Sequence, residues 1–145
     1  MPFFVYGTLR CGEHNHGLFP RGRTVREELA RLTGALLYEG PGYPYAVEDP
    51  GPVNGPGPVV VGELVTAEDD VYGELLAVLD ELEGFGAPGD PRNLYERTAR
   101  DVLRADGTTA RAWVYCAAPR VARELRRRGR LIAGGDWIAH LTVDP

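Results

Sequence analysis

Short apolar runs of β type, cut apart by glycine and proline, constrain this chain more than anything else in it. Its 145 residues include 19 Gly and 12 Pro, and the runs between them do not alternate regularly with helices. Strands that outnumber helices without a βαβ rhythm predict an α+β fold with a largely antiparallel or mixed sheet. The first run begins almost at once. Phe3-Phe4-Val5-Tyr6-Gly7-Thr8-Leu9 reads as a strand over residues 2–7 that breaks at a glycine. A strand ending in Gly-Thr presents backbone N–H groups with no Cβ in the way at Gly7. Such a turn can hold an anion or a developing oxyanion through the main chain. It can equally be no more than the place where a strand turns.

The remaining elements follow from local signals. Residues 10–24 read as loop. Thr24 is followed three residues later by Glu27, the spacing of a capping box, which predicts a short helix over Thr24 to Leu29. Leu32 to Tyr38 and Tyr43 to Val47 read as strands separated by Gly40-Pro41-Gly42. Residues 49–58 are dense in Pro and Gly and form a loop. Val59 to Val65 is β-branched and apolar, a strand covered on both faces. Glu68-Asp69-Asp70 opens a helix that runs from about Asp69 to Glu83 and stops at Gly84. Residues 84–93 form an irregular loop long enough to act as a lid. Leu94 to Leu103 and Thr109 to Cys116 read as strands joined at Asp106-Gly107, a hairpin signal. Pro119 to Arg128 is a short helix whose arginines, within the basic run Arg120 to Arg130, read as a solvated face opposite Val121 and Leu125. Gly134-Gly135-Asp136-Trp137 reads as a turn ahead of a final extended piece, with Trp137 a packing residue.

Composition narrows the classes of function. The length suits one domain over residues 1–145, and 43% hydrophobic residues allow one core. No apolar run approaches the roughly 20 residues that cross a bilayer, and the N-terminus does not read as a signal peptide. A cytoplasmic protein that binds no membrane is expected. The net charge of −5 argues against nucleic-acid binding. The chain contains no lysine, which removes Schiff-base chemistry and a P-loop lysine. Its two cysteines, Cys11 and Cys116, form no CxxC motif, and a reducing compartment disfavours a disulfide between them.

The helix over 69–83 carries one misplaced charge. At roughly 100° per residue, Val71, Leu75, Val78, Leu79 and Leu82 form one apolar arc, which Tyr72 and Leu76 extend. Glu74, Asp80 and Glu81 lie outside it, as solvated acids. Glu83 falls at roughly 120°, between Tyr72 and Leu76 and beside Leu79. Burial there would raise its pKa, and the negative end of the helix dipole would push the same way. Such a carboxyl can take and return a proton near neutral pH. Alternatively, the helix frays at Gly84 and Glu83 points to water.

Val5-Tyr6-Gly7-Thr8-Leu9-Arg10, then Leu79-Asp80-Glu81-Leu82-Glu83-Gly84, then Tyr95-Glu96-Arg97, and a late Gly135-Asp136-Trp137 resemble the γ-glutamylcyclotransferase-like superfamily over nearly the whole chain. The superfamily includes γ-glutamylamine cyclotransferases and avirulence-induced-gene-like proteins. The resemblance implies a small, barrel-like mixed sheet flanked by helices. It implies that Glu83 is the general acid/base and that Tyr6, Gly7, Thr8 and Leu9 form the substrate pocket, with Tyr95 as a further pocket residue. It implies cleavage of a small-molecule γ-glutamyl amide by its own α-amine, releasing 5-oxoproline and a free amine, with no metal and no organic cofactor.

Other residues stay open at this level. Arg97, on the same strand face as Tyr95, pairs with a carboxylate or forms an ordinary surface ion pair. Cys11 stands where many relatives carry a basic residue. His14 and His16 lack the further ligand that a metal site needs, and Cys11 lacks a clear base other than these histidines. The loops at 49–58 and 84–93 are expected to frame the pocket mouth and select the amine. Two other functions compete with a cyclotransferase: a non-catalytic module that binds a small metabolite, and an amidohydrolase in which water is the nucleophile.

Overall fold

The computed structural model describes residues 1–10, 13, 24–49, 51 and 57–142. The expectations placed on Cys11, His14 and His16 lie outside the described residues. Seven strands and three helices follow one another: β1 (Phe3–Val5), β2 (Thr24–Thr33), β3 (Ala35–Glu39), β4 (Pro44–Glu48), β5 (Val59–Ala67), α1 (Asp69–Leu82), β6 (Tyr95–Arg104), β7 (Thr109–Ala117), α2 (Pro119–Arg128) and α3 (Trp137–Thr142). The fold is α+β, built on a closed five-stranded barrel in the order β1-β5-β2-β6-β7, with β3 and β4 as a separate two-stranded sheet. The barrel pairings are antiparallel except the seam, where β1 runs parallel to β7 through Phe3↔Trp113 and Phe4↔Val114.

The three residues of β1 are all buried because the strand divides two cores. Successive side chains point to opposite faces. Phe4, and Tyr6 just beyond the strand, join the barrel interior with Ala30, Leu32, Val60, Leu64 and Val114. Phe3 and Val5 point outward and meet Leu75 and Leu79 of α1. The helix therefore lies over the β1 side of the barrel and brings its C-terminus to the end of that strand.

Three expectations are corrected. The segment Thr24 to Leu29 is not helical; it is the first part of β2, paired with β5 from Thr24↔Ala67 to Thr33↔Val59. Six residues are too few to sustain a helix by themselves, whereas Ala30 and Leu32 alternate into the barrel core and β5 supplies a long partner edge. The run Leu32 to Tyr38 is not one strand: at Gly34, with φ of 77°, the chain leaves the barrel for the β3–β4 sheet. An L-residue with a side chain adopts that backbone region only at a cost. The last segment is helical rather than extended. A short 3-10 turn (Ala133–Gly135) precedes α3, and Asp136 caps the helix, its carboxylate accepting the Ala139 N–H at 3.2 Å.

The other elements stand near their expected limits. The β6–β7 hairpin pairs from Tyr95↔Ala117 to Leu103↔Thr109. Val121 and Leu125 of α2 pack inward, and Trp137 is buried. No helix among the described residues is long and apolar enough to cross a membrane.

Candidate active site

The end of β1 opens into a narrow cleft. Tyr6, Gly7, Thr8 and Leu9 form one wall, Tyr43 and Pro44 a second, and Glu83, Tyr95 and Tyr115 enter from α1, β6 and β7. All six residues expected from the sequence to act in a site meet here. Tyr43, Pro44 and Tyr115 carry no such signal in the sequence, because residues in strand-like runs bear no local mark of the face they occupy.

The Tyr6–Leu9 segment is held from both ends. The Tyr6 hydroxyl donates to the Tyr115 carbonyl and accepts the Ala46 N–H at 3.2 Å. The Arg10 N–H donates to the Gly7 carbonyl at 3.0 Å, closing the turn. Arg10 itself is 5% exposed. Its Nε meets Glu63 on β5 at 3.0 Å, and a terminal nitrogen meets Asp136 at 2.9 Å. The cap of α3 and the turn after β1 are thus joined through one buried guanidinium. No spacing in the chain signals that contact. Gly7 is required by close approach: a Cβ there would stand 2.7 Å from Cδ of Pro44.

Glu83 follows the last residue of α1 and caps the helix, its N–H donating to the Leu79 carbonyl at 2.9 Å. Its side chain is partly buried and, among the described residues, forms no hydrogen bond or ion pair. Burial pushes its carboxyl up to about 7. The carbonyl end of the helix dipole acts in the same direction. Around it stand phenols. Burial is the main cause that raises Tyr6, Tyr45, Tyr95 and Tyr115 above the ordinary tyrosine value, so these hydroxyls are protonated donors near neutral pH. Several are already committed: Tyr95 donates to the Pro44 carbonyl at 2.7 Å, and its ring stacks on Tyr45 with centroids 4.7 Å apart.

Asp80 departs from its expected role as a solvated acid. It accepts the Tyr115 hydroxyl at 2.7 Å and a terminal N–H of Arg97 at 3.0 Å. A helical wheel places it outside the apolar arc and says nothing of what packs over that side of the helix. Arg97 accordingly pairs with a carboxylate beside the cleft. No residue of the loop over 84–93 lines the cleft. The loop is tied down by Asn93, whose side chain accepts the Gly86 N–H at 2.9 Å and donates to the Ala87 carbonyl at 2.8 Å. No group of three or more His, Cys, Asp or Glu placed to hold a metal occurs among the described residues.

Residues 3–139 match the family described as "Gamma-glutamyl cyclotransferase, AIG2-like". The chain is 37% identical over 113 residues to the gamma-L-glutamyl-butirosin B gamma-glutamyl cyclotransferase of Niallia circulans, covering 77% of this chain and 64% of that protein. Among solved structures, YkqA from Bacillus subtilis superposes with a TM-score of 0.63 at 25% identity, over 97% of this chain and 41% of YkqA. A mouse AIG2-like protein shares the fold with a TM-score of 0.55 at 24% identity, over 82% of this chain and 80% of its own. The chain thus spans less than two thirds of the bacillary relatives it matches. A barrel strand that breaks into the YGTL turn, a helix that ends in Glu83 beside it, and a family match over almost all of the described residues lead to one conclusion: the chain belongs to the gamma-glutamyl cyclotransferase, AIG2-like family.

Proposed function

We propose that this protein cleaves a γ-glutamyl amide by intramolecular attack, releasing 5-oxoproline and a free amine. The observation that carries the reading is the Glu83 carboxyl, without a partner among the described residues and facing the Gly7–Leu9 turn across one cleft. The α-amine of a γ-glutamyl group is protonated at neutral pH and cannot attack. Glu83 takes that proton, and a carboxyl raised to about 7 is matched to the task. The freed amine attacks its own γ-carbonyl carbon and closes a five-membered ring. The nucleophile is already tethered, so the cleft has only to hold the folded conformer.

Charge then develops on the carbonyl oxygen, where backbone N–H groups of the Gly7–Leu9 turn stabilise it. As the tetrahedral intermediate collapses, Glu83 returns the proton to the leaving nitrogen and the C–N bond of the amide breaks; Glu83, ionised again, takes the second proton from the ring nitrogen and passes it to the released amine, which departs as ammonium. One carboxyl carries the protons, and one backbone turn holds the oxyanion. The tethered amine, held at short range from its own γ-carbonyl, outcompetes water as the nucleophile, which favours ring closure over hydrolysis.

The direct test is incubation with a panel of γ-glutamyl amines and amino acids, including a γ-glutamyl aminoglycoside of the kind that the Niallia circulans relative is named for. The expected products are 5-oxoproline and free amine, lost in Glu83→Gln. Free glutamate in place of 5-oxoproline would identify water as the nucleophile. Binding without product, unaffected by Glu83→Gln, would identify a metabolite-binding module.

A further inference from the structure

Two carboxyls end the same helix and have opposite surroundings. Asp80 and Glu83 are three positions apart, so they project from neighbouring points of the last turn of α1. Glu83 has no partner among the described residues, whereas Asp80 is held by Tyr115 and Arg97. The arginine is not an ordinary surface cation. Its guanidinium carbon lies 4.6 Å from the centroid of the Trp113 ring and 5.3 Å from that of Phe85. Its side chain is 19% exposed, and its buried Nε donates to no acceptor among the described residues. Trp113 is itself anchored to α1, its indole N–H donating to the Tyr72 hydroxyl at 2.8 Å. A planar cation stacked between two rings has little freedom to leave its carboxylate.

We propose that Arg97 is the positioning residue of this cleft: clamped between Phe85 and Trp113, it cancels the charge of Asp80 and fixes that carboxylate on the Tyr115 hydroxyl. Glu83 is thereby left as the uncompensated carboxyl on the α1 side of the site. The inference rests on the assignment of Glu83 as the proton carrier. The other groups around Glu83 are phenols: Tyr6 after β1, Tyr43 and Tyr45 at β4, Tyr95 on β6 and Tyr115 on β7. On α2, Arg120 acts on Tyr45, and Glu81 points away from the cleft to solvent. With Arg97 in place, Asp80 adds almost no net charge to this set. Without Arg97, a bare carboxylate stands one helical turn from Glu83 and opposes its ionisation.

The experiment is a titration of the Glu83 side-chain carboxyl by ¹³C NMR, alongside the pH dependence of kcat/KM, in wild type, Arg97→Met, Asp80→Asn and the double variant. Arg97→Met is expected to move the Glu83 titration and the acidic limb of the profile upward by about one pH unit, the scale of a unit charge at this range under effective protein screening. Asp80→Asn leaves Arg97 uncompensated and moves both downward. The double variant removes both charges and returns them to within about 0.3 pH units of wild type, as cancellation of one coupled pair requires. A merely structural arginine would instead lower activity at every pH with the titration unmoved. That result, or a double variant that stays shifted, overturns the inference. If Arg97→Met does not fold, Asp80→Asn alone still decides the sign. Should Glu83→Gln retain full turnover, the proposed function fails, while the NMR titration continues to test the charge balance independently.

Discussion

Replacing Glu83 by Gln should abolish turnover and at the same time stabilise the protein at alkaline pH. The native state holds this carboxyl up near 7 by burial, against an ordinary glutamate value of 4.5. Below pH 4.5 the carboxyl is neutral in both folded and unfolded chains, and its stabilising contribution is complete. Between 4.5 and 7 the folded protein keeps a proton that the unfolded chain has lost. Stability therefore falls as pH rises through this window and levels off above 7. At about 1.4 kcal/mol per pH unit, ionised Glu83 costs the native state about 3 kcal/mol. Glutamine resembles the neutral acid in shape and hydrogen-bonding capacity but cannot ionise, so the variant escapes that cost. Linkage gives a gain of about 1 kcal/mol over wild type at pH 5 and about 3 kcal/mol at pH 8.5. For a chain of this length the larger figure corresponds to a rise in Tm of about 6–12 °C. Urea denaturation of both proteins at the two pH values and constant ionic strength measures the difference directly. An equal ΔΔG at both pH values, or a variant less stable than wild type at pH 8.5, would refute the burial argument and with it the tuned proton carrier.

The same carboxyl sets the pH profile: kcat/KM should climb about tenfold per pH unit below 7 and flatten above it, because only ionised Glu83 can accept the ammonium proton. Gly7→Ala drives a methyl to 2.7 Å from Cδ of Pro44. It should destabilise the fold by about 1–3 kcal/mol and lower kcat/KM at least about tenfold by displacing the turn; unchanged kinetics in a folded variant would contradict the assignment of the turn to the oxyanion. Arg10→Met removes the guanidinium that joins Glu63 to Asp136, and denaturant melts should register a loss of at least about 1 kcal/mol. A loss below about 1 kcal/mol would mean that water reaches the cluster.

Local chemistry accounts for much of what the chain makes legible. The apolar arc of α1, the Asp106-Gly107 hairpin and the strand at Val59 are written in periodicity and turn residues, and they form within a residue or two of their expected limits. Glu83 stood out for the same reason, since an acid on an apolar arc is visible on a wheel before any tertiary contact is known. The misread segments are those whose local signal was weaker than a distant partner. Thr24 to Leu29 has the spacing of a helix cap yet pairs along β5, and hydrogen bonds to a strand more than thirty positions away outweigh one short capping motif.

The chain by itself therefore determined the strand-rich class, the place of an acid on the apolar arc of α1 and the glycine after β1, because each depends on neighbours within a few residues. Tertiary structure alone decided what surrounds them. Barrel closure sets β1 beside β7 and brings the YGTL turn to the end of α1. The same closure stacks Arg97 between Phe85 and Trp113, hands Asp80 to Tyr115, and buries Arg10 between Glu63 and Asp136. These contacts join residues far apart in the chain, and no periodicity encodes which charge will meet which once the barrel has closed.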